Sequence, residues 1–227
     1  RLHTLNHRVY DADIAVNILR SESATIFGFS SLISALDINR LVSRLLDTAY
    51  APTSVSVPVD LRLDSYGRLS FTICEPTFGQ GYYLRACSRK ADSIIAANYD
   101  LLVQTSVTES QDAMYDAVVR IRGAEEAILV DSEGLVISRP WRPIFIIDNN
   151  RAVFTPVKFP TAEYQRIARA IKSMGLKLSV VDIPWSAMCA AQEVFVADAM
   201  AVTAYDHIGT TAMTTFFTRS IVERVRM

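Results

Sequence analysis

Between Ala127 and Thr155 the chain spells two hairpins, one directly after the other. Ala127–Val130 and Leu135–Ser138 flank the turn D-S-E-G (Asp131–Gly134), and Pro143–Ile147 and Ala152–Thr155 flank D-N-N-R (Asp148–Arg151). Short apolar runs separated by such turn formers close into antiparallel pairs. A helix then opens at Pro160-Thr161 and runs to Ser173, with Ile167, Ala168, Ile171 and Met174 on one side and Gly175 as its stop. Parallel strands need a crossover after each strand, so hairpins in series joined by single helices exclude a doubly wound parallel sheet. The predicted class is α+β.

The remaining segments fit that class. Strands are predicted at His7–Val16 and Ala24–Phe29, and a helix over Ser31–Ala49 from the spacing of Leu32, Leu36, Leu41, Leu45 and Leu46. Val55–Leu63 and Arg68–Cys74 form a hairpin around Ser65–Gly67, and Tyr82–Cys87 and Leu101–Val107 read as strands. Glu109–Arg122 is a helix closed by Gly123. After Ser173 come a strand (Leu176–Ile183), a short helix (Pro184–Ala191), strands at Glu193–Ala197 and Ala201–His207, and a last helix from Thr211 to Val225.

Composition removes several function classes. With 227 residues and 50% hydrophobic content the chain buries a core without staples, and disorder is excluded. No apolar run reaches the roughly 18–20 residues of a membrane span. The formal charge of −1, from 23 basic and 24 acidic residues, gives no nucleic-acid footprint. Of the basic residues four are lysines (Lys90, Lys158, Lys172, Lys177) and 19 are arginines, so few amines are available for Schiff-base chemistry. Cys74, Cys87 and Cys189 have neither zinc-ligand nor redox spacing. The start at Arg1 matches a removed organellar presequence and equally a trimmed end.

Four stretches, in order, carry a resemblance. G-A-E-E-A-I-L-V-D-S-E-G-L-V-I-S (Gly123–Ser138) is similar to G-A-D-E-A-L-L-L-D-x-x-G-x-V-x-E, and I-F-I-I-D-N-N-R-A-V-F-T-P (Ile144–Pro156) to N-x-F-x-V-x-x-G-x-L-x-T-P. Tyr164–Ile183 is similar to R-x-x-V-x-x-L-A-x-x-L-G-I-x-V-x-E-x-x-I, and Q-E-V-F-V (Gln192–Val196) to D-E-V-F-L/M. Upstream, Asp13 and Arg20 fit Y-G-D-G-V-F-E-T-I-R, and D-I-N-R-L (Asp37–Leu41) resembles H-L-D-R-L. The chain thus resembles the class IV aminotransferases, the fold-type IV pyridoxal-phosphate family of branched-chain aminotransferases, D-amino acid transaminases and aminodeoxychorismate lyases. The resemblance implies the two-domain α+β architecture of the D-amino acid aminotransferase type. It places an N-terminal α/β sandwich-like domain over residues 1–106 and a C-terminal domain of hairpins and helices over 107–227.

Such enzymes need a lysine for the cofactor's Schiff base, a carboxylate on the pyridinium nitrogen, and a helix N-terminus with an arginine for the phosphate. By the resemblance the lysine position falls on Gln104 or Thr105, and neither side chain forms an imine. The glutamate position falls on Ser138. The phosphate turn reads P-T-A-E (Pro160–Glu163) and its second segment A-D-A-M (Ala197–Met200), which set Glu163 and Asp198 against a dianion. Arg40, the arginine of D-I-N-R-L, is the one cofactor-binding residue the resemblance leaves, as a phosphate contact. Lys90 or Lys158 could stand in for the lysine only from a desolvated pocket.

Other candidates are weaker. His3, His7 and His207 have no ligand spacing and read as surface histidines, so no metal is expected. Asp11 and Asp13 have no third ligand, Cys87 and Cys189 read as structural thiols, and Glu125-Glu126 reads as a solvated hairpin start. The loop R-P-W-R-P (Arg139–Pro143) is the most unusual feature. Trp141 between Arg139 and Arg142 has an interface composition, and it could equally fill a vacated cofactor pocket. In the last helix Phe216, Phe217, Ile221 and Val225 are expected to pack on the C-terminal domain.

These readings predict a catalytically inactive aminotransferase-like protein without a cofactor, acting as a structural or interaction subunit. Its partners would be other protein chains, in a homo- or hetero-oligomer. A soluble intracellular setting, with the mitochondrial matrix as one candidate, accompanies that reading. The alternatives are a pyridoxal-phosphate aminotransferase or lyase with a relocated lysine, and a protein that binds a small anionic ligand around Arg40.

Overall fold

A small hairpin, β1 (Thr4–Leu5) with β2 (Arg8–Val9), leads into two helices, α1 (Ala12–Phe27) and α2 (Ala35–Thr48). The computed structural model describes residues 1–76, 83–85, 89–96, 103–149, 151–157 and 161–226. The sequence reading made two strands of what is α1. This helix buries only Ala12, Val16 and Ser23, so it leaves little apolar periodicity to read, and its N-cap residue Asp11 makes no side-chain cap. By contrast α2 starts on a capping box, in which the Ser34 hydroxyl accepts from the Asp37 N–H and the Asp37 carboxylate accepts from the Ser34 N–H.

The face α2 buries also differs from the expected one. Ile38, Val42 and Leu46, at i, i+4 and i+8, are fully buried, while Leu32 and Leu36 are exposed. That stripe packs with Val9, Val16, Val57 and Val59 into the core of this part of the chain. The antiparallel pair β3 (Val59–Leu63) and β4 (Leu69–Ile73) covers it, joined by a turn that needs the positive φ of Gly67. These elements make one compact unit, Arg1–Gly81; the second is Tyr82–Met227.

The second unit runs β5 (Tyr83–Arg85), β6 (Lys90–Ile95), α3 (Ser106–Ile121), β7 (Glu126–Val130), β8 (Ile144–Ile147) and β9 (Val153–Thr155). It continues through α4 (Ala162–Ser173), β10 (Leu178–Val180), α5 (Trp185–Cys189), β11 (Glu193–Ala197), β12 (Ala201–Ala204), β13 (His207–Ile208), β14 (Thr211–Ala212) and α6 (Phe216–Arg226). Ser106, at the expected domain boundary, is the first residue of α3. Leu135–Ser138 is not a strand: Val136 makes only an isolated antiparallel bridge to Val130, and the regular ladder of β7 is the parallel one with β6. In the expected Leu101–Val107 strand, Ser106 and Val107 already belong to α3, and residues 101 and 102 lie outside the described residues, as do Cys87, Lys158 and Pro160.

Two mixed sheets result, one ordered β10-β9-β8-β11-β12-β5 and one ordered β14-β13-β6-β7. Alternate residues of β8 and β11 point to opposite faces of the larger sheet, and both faces are buried. Phe145, Ile147, Phe195 and Ala197 face Ile167 and Ile171 of α4 and Ile221 and Val222 of α6. Ile144, Ile146, Val194 and Val196 face Ile128, Tyr205, Ile208 and Met188, on the side of the smaller sheet. The candidate site lies on that second face. Among the described residues no helix is long and apolar enough to cross a membrane.

Candidate functional site

The turn Arg139–Arg142 builds the site. The Arg142 N–H donates to the Arg139 carbonyl over 3.0 Å, with Pro140 fixing φ at the second position. Arg139 and Arg142 also form an antiparallel bridge, which sets both side chains on one face and leaves Trp141 at the tip. The two guanidinium groups turn inward. Arg139 is buried, with Nε 2.8 Å from Asp112 Oδ1 of α3, and Arg142 pairs with Glu126 Oε1 at the start of β7. Trp141 packs with Ile94, Ala96, Tyr115, Leu129 and Ile137.

Glu126 is the centre of this network. It is 3% exposed, accepts a 2.6 Å hydrogen bond from the Tyr205 hydroxyl, and has Arg89 Nη1 3.6 Å from Oε2. Burying a carboxylate is costly unless it is paired and hydrogen-bonded, and Arg142 and Tyr205 supply both. Burial and the Glu126 charge push the Tyr205 hydroxyl well above its ordinary range, so it stays a donor. Burial works against the charge on Arg142, yet the Glu126 and Asp198 carboxylates outweigh it and hold the guanidinium more firmly protonated than usual. Between Glu126, Arg139, Arg142 and Tyr205 remains a cavity of about 10 Å³, room for about one water.

The positions singled out by the resemblance are occupied by structural duties. Gln104 is exposed, its side-chain amide donating to Glu109 Oε1 at 3.4 Å. Thr105 is the N-cap of α3: its hydroxyl accepts from the Thr108 N–H, and its own N–H donates to Thr108 Oγ1. Ser138 Oγ accepts from the Ile144 N–H at 3.1 Å. In the phosphate segments Thr161 caps α4 through the Tyr164 N–H, and Asp198 Oδ1 accepts from the N–H groups of Met200 and Ala201, both at 2.9 Å. Burial raises the Glu163 carboxyl above its usual range, against hydrogen bonds from its own N–H and Thr161 and the charge of Arg166. Arg40 belongs to the first unit, where it is exposed and 2.9 Å from Asp37 Oδ1.

At the positions the resemblance assigns, the donor set differs from the one pyridoxal phosphate needs. It supplies no amine at Gln104 or Thr105 and no carboxylate at Ser138, and the N–H groups of Met200 and Ala201 are already taken by Asp198. Of the lysines, Lys90 begins β6 half-buried, with its N–H donating to Glu125 Oε2, and Lys172 and Lys177 are exposed.

Three sequence expectations need correction. Glu126 is not solvated: it opens the fully buried strand β7, and only Glu125 beside it is exposed. His3 and His7 are buried in the first unit, where His7 bridges Asp47 (2.6 Å) and the Ala51 carbonyl (2.9 Å) and His3 Nε2 meets Ser56 Oγ. Phe216 is exposed, while Phe217, Ile221 and Val225 pack on the larger sheet. The sequence reading also missed Tyr205 and Asp112 altogether. The one signal for the network was an acid, Glu126, leading the apolar run A-I-L-V.

No protein-family model and no curated protein matches the sequence. Solved structures do match. A protein assigned as a 4-amino-4-deoxychorismate lyase from Legionella pneumophila superposes with TM-score 0.78 at 14% identity, over 98% of this chain and 87% of that one. The branched-chain amino acid aminotransferase of Escherichia coli gives 0.74 at 16% identity, over 97% and 81%. An aminotransferase from Brucella abortus, bound to pyridoxal phosphate, gives 0.71 at 16%, over 98% and 85%. The fold is that of the fold-type IV pyridoxal-phosphate enzymes, as the sequence resemblance implied.

Proposed function

We propose that this chain is a catalytically silent relative of the fold-type IV enzymes, retained as a structural or protein-interaction subunit. The observation that carries this reading is the network around Glu126. Arg139 and Arg142 follow directly on Ser138, where the resemblance expects the pyridinium carboxylate, and both turn inward onto acids of the chain's own. Opening that space for a cofactor would separate Arg142 from Glu126, and removing one partner from a buried pair costs about 3–5 kcal/mol. The phosphate would then meet the Glu163 and Asp198 carboxylates.

The setting we propose is a larger assembly of other protein chains, with an organelle such as the mitochondrion as its place; the arginine-rich, lysine-poor composition speaks for it. The competing reading, an active enzyme with Lys90 or Lys158 as the amine, draws on solved neighbours that hold the cofactor. Titration of the purified chain with pyridoxal phosphate separates the two. The silent subunit gives no saturable absorbance band and no rise in melting temperature, and it purifies with other chains. A saturable band with a thermal shift, by contrast, establishes the enzyme.

A further inference from the structure

The N-terminal hairpin turns on Asn6 and His7, whose φ angles of 50° and 62° are both positive, as a two-residue turn between Leu5 and Arg8 requires. Glycine is the residue that the second position favours, because a Cβ is strained there. His7 occupies it instead. Its ring is buried, with Nδ1 2.6 Å from Asp47 Oδ1 and Nε2 2.9 Å from the Ala51 carbonyl oxygen. Both partners stand at the end of α2. Asp47 belongs to its last turn, and Ala51 follows Tyr50, where another positive φ, 52°, reverses the chain. The last turn of α2 carries no basic side chain of its own, and an imidazolium at His7 sets a positive charge against the carbonyl end of the helix.

We propose that His7 is a proton-operated clasp. Doubly protonated, it donates from both ring nitrogens and fastens the hairpin turn to the end of α2; on losing one proton to water it lets go. The donor count carries the inference. A carboxylate and a backbone carbonyl only accept, whereas a neutral imidazole has one N–H and one bare lone pair. In either neutral tautomer one acceptor therefore faces a lone pair, at 2.6 or 2.9 Å. The left-handed backbone at His7 and Tyr50 adds strain that the closed clasp holds in place. Asp47 is the charged group bonded to the ring. Arg8 follows His7 on the hairpin and Arg44 lies one turn before Asp47 on α2, both exposed, and Ser43 Oγ donates to the other Asp47 oxygen over 3.4 Å. His3 on the same hairpin differs, because its Nε2 faces Ser56 Oγ, a hydroxyl that donates or accepts as needed. Opening stays local: the Thr4 hydroxyl donates to the Val57 carbonyl and Leu2 bridges Val59, so the other end of the hairpin remains tied.

The clasp lies in the first unit and needs nothing of the site in the second. Nuclear magnetic resonance of the full chain with labelled histidine, combined with amide exchange, tests it. At pH 5 both ring nitrogens of His7 are expected to carry protons, and the Ala51 N–H, which donates to the Leu46 carbonyl, to be protected. Between about pH 5 and pH 8, the range in which imidazoles titrate, the Ala51 protection factor is expected to fall about tenfold, within what a histidinium at a helix C-terminus contributes. His7→Gly suits the turn and so keeps the hairpin, and its Ala51 protection is expected to be low and flat across that range. Asp47→Asn lets the new amide donate to a neutral Nδ1 while Nε2–H still serves Ala51, so protection is expected to stay high and lose its pH response. A neutral His7 ring in the closed hairpin at pH 5, a flat response in the unaltered chain, or the unaltered chain's response in either variant would overturn the proposal.

Discussion

The hydroxyl of Tyr205 donates to Glu126 over 2.6 Å, a polar link between the larger sheet of the second unit and the smaller. Tyr205 sits where the chain leaves β12 for β13, and Glu126 opens β7; both are buried. With Arg142 on its other side, Glu126 is one half of a buried, hydrogen-bonded ion pair.

Glu126→Ala strands the Arg142 guanidinium and should destabilise the chain by about 3–5 kcal/mol. Tyr205→Phe removes one charge-assisted hydrogen bond and should cost about 1.5–3 kcal/mol. Replacing the pair together, Glu126→Leu with Arg142→Met, should recover most of the Glu126→Ala loss. Denaturant unfolding of the three variants checks the ranking.

Glu193, fully buried on β11, accepts from the N–H groups of Phe217 and Thr218 and from the hydroxyls of Thr214 and Thr218. It therefore caps α6 from a neighbouring strand. Glu193→Ala should cost about 2–4 kcal/mol, because several donors lose their acceptor at once. Hydrogen exchange should show α6 opening first, with β11 protected for longer.

Glu163 gives the stability of the chain a pH slope of known sign. Its native carboxyl is raised above the unfolded value of 4.5 by burial, so the native state holds the proton more tightly. Stability from this group is complete below 4.5 and is lost as pH rises through the native value. Glu163→Gln should flatten that slope and be the more stable form at pH 7. Urea midpoints from pH 4 to pH 8 would show it.

Asp60 runs the other way. The Arg1 guanidinium, 2.8 Å away, holds its carboxyl below 3.8 despite partial burial. That contribution is present above 3.8 and lost as pH falls through the native value. Asp60→Asn should therefore lower the stability of the first unit modestly above 3.8 at low salt, with the difference from wild type vanishing as pH falls through the native value and shrinking at high salt.

The parts legible in the sequence were those decided locally. The turns Asp131–Gly134 and Asp148–Arg151 and the stop at Gly175 are written in adjacent residues, and the structure follows them. What escaped was decided by distant partners. Helix α1 is held by three small buried residues, so its pattern reads weakly. Strand β6 is defined by parallel neighbours β7 and β13, which no local pattern announces. Glu126 looked solvated because Tyr205, 79 residues later, and Arg142, which satisfy it, are not neighbours in sequence. The R-P-W-R-P loop was visible as unusual; only its fold shows the arginines turned in.

The most direct measurement is borohydride reduction of the full chain with excess pyridoxal phosphate, followed by peptide mapping. The account predicts no stoichiometric adduct on any lysine, only the diffuse, non-saturating labelling of exposed amines such as Lys172 and Lys177. A single saturable adduct, on Lys90 or Lys158, would contradict it and place a working amine in this fold.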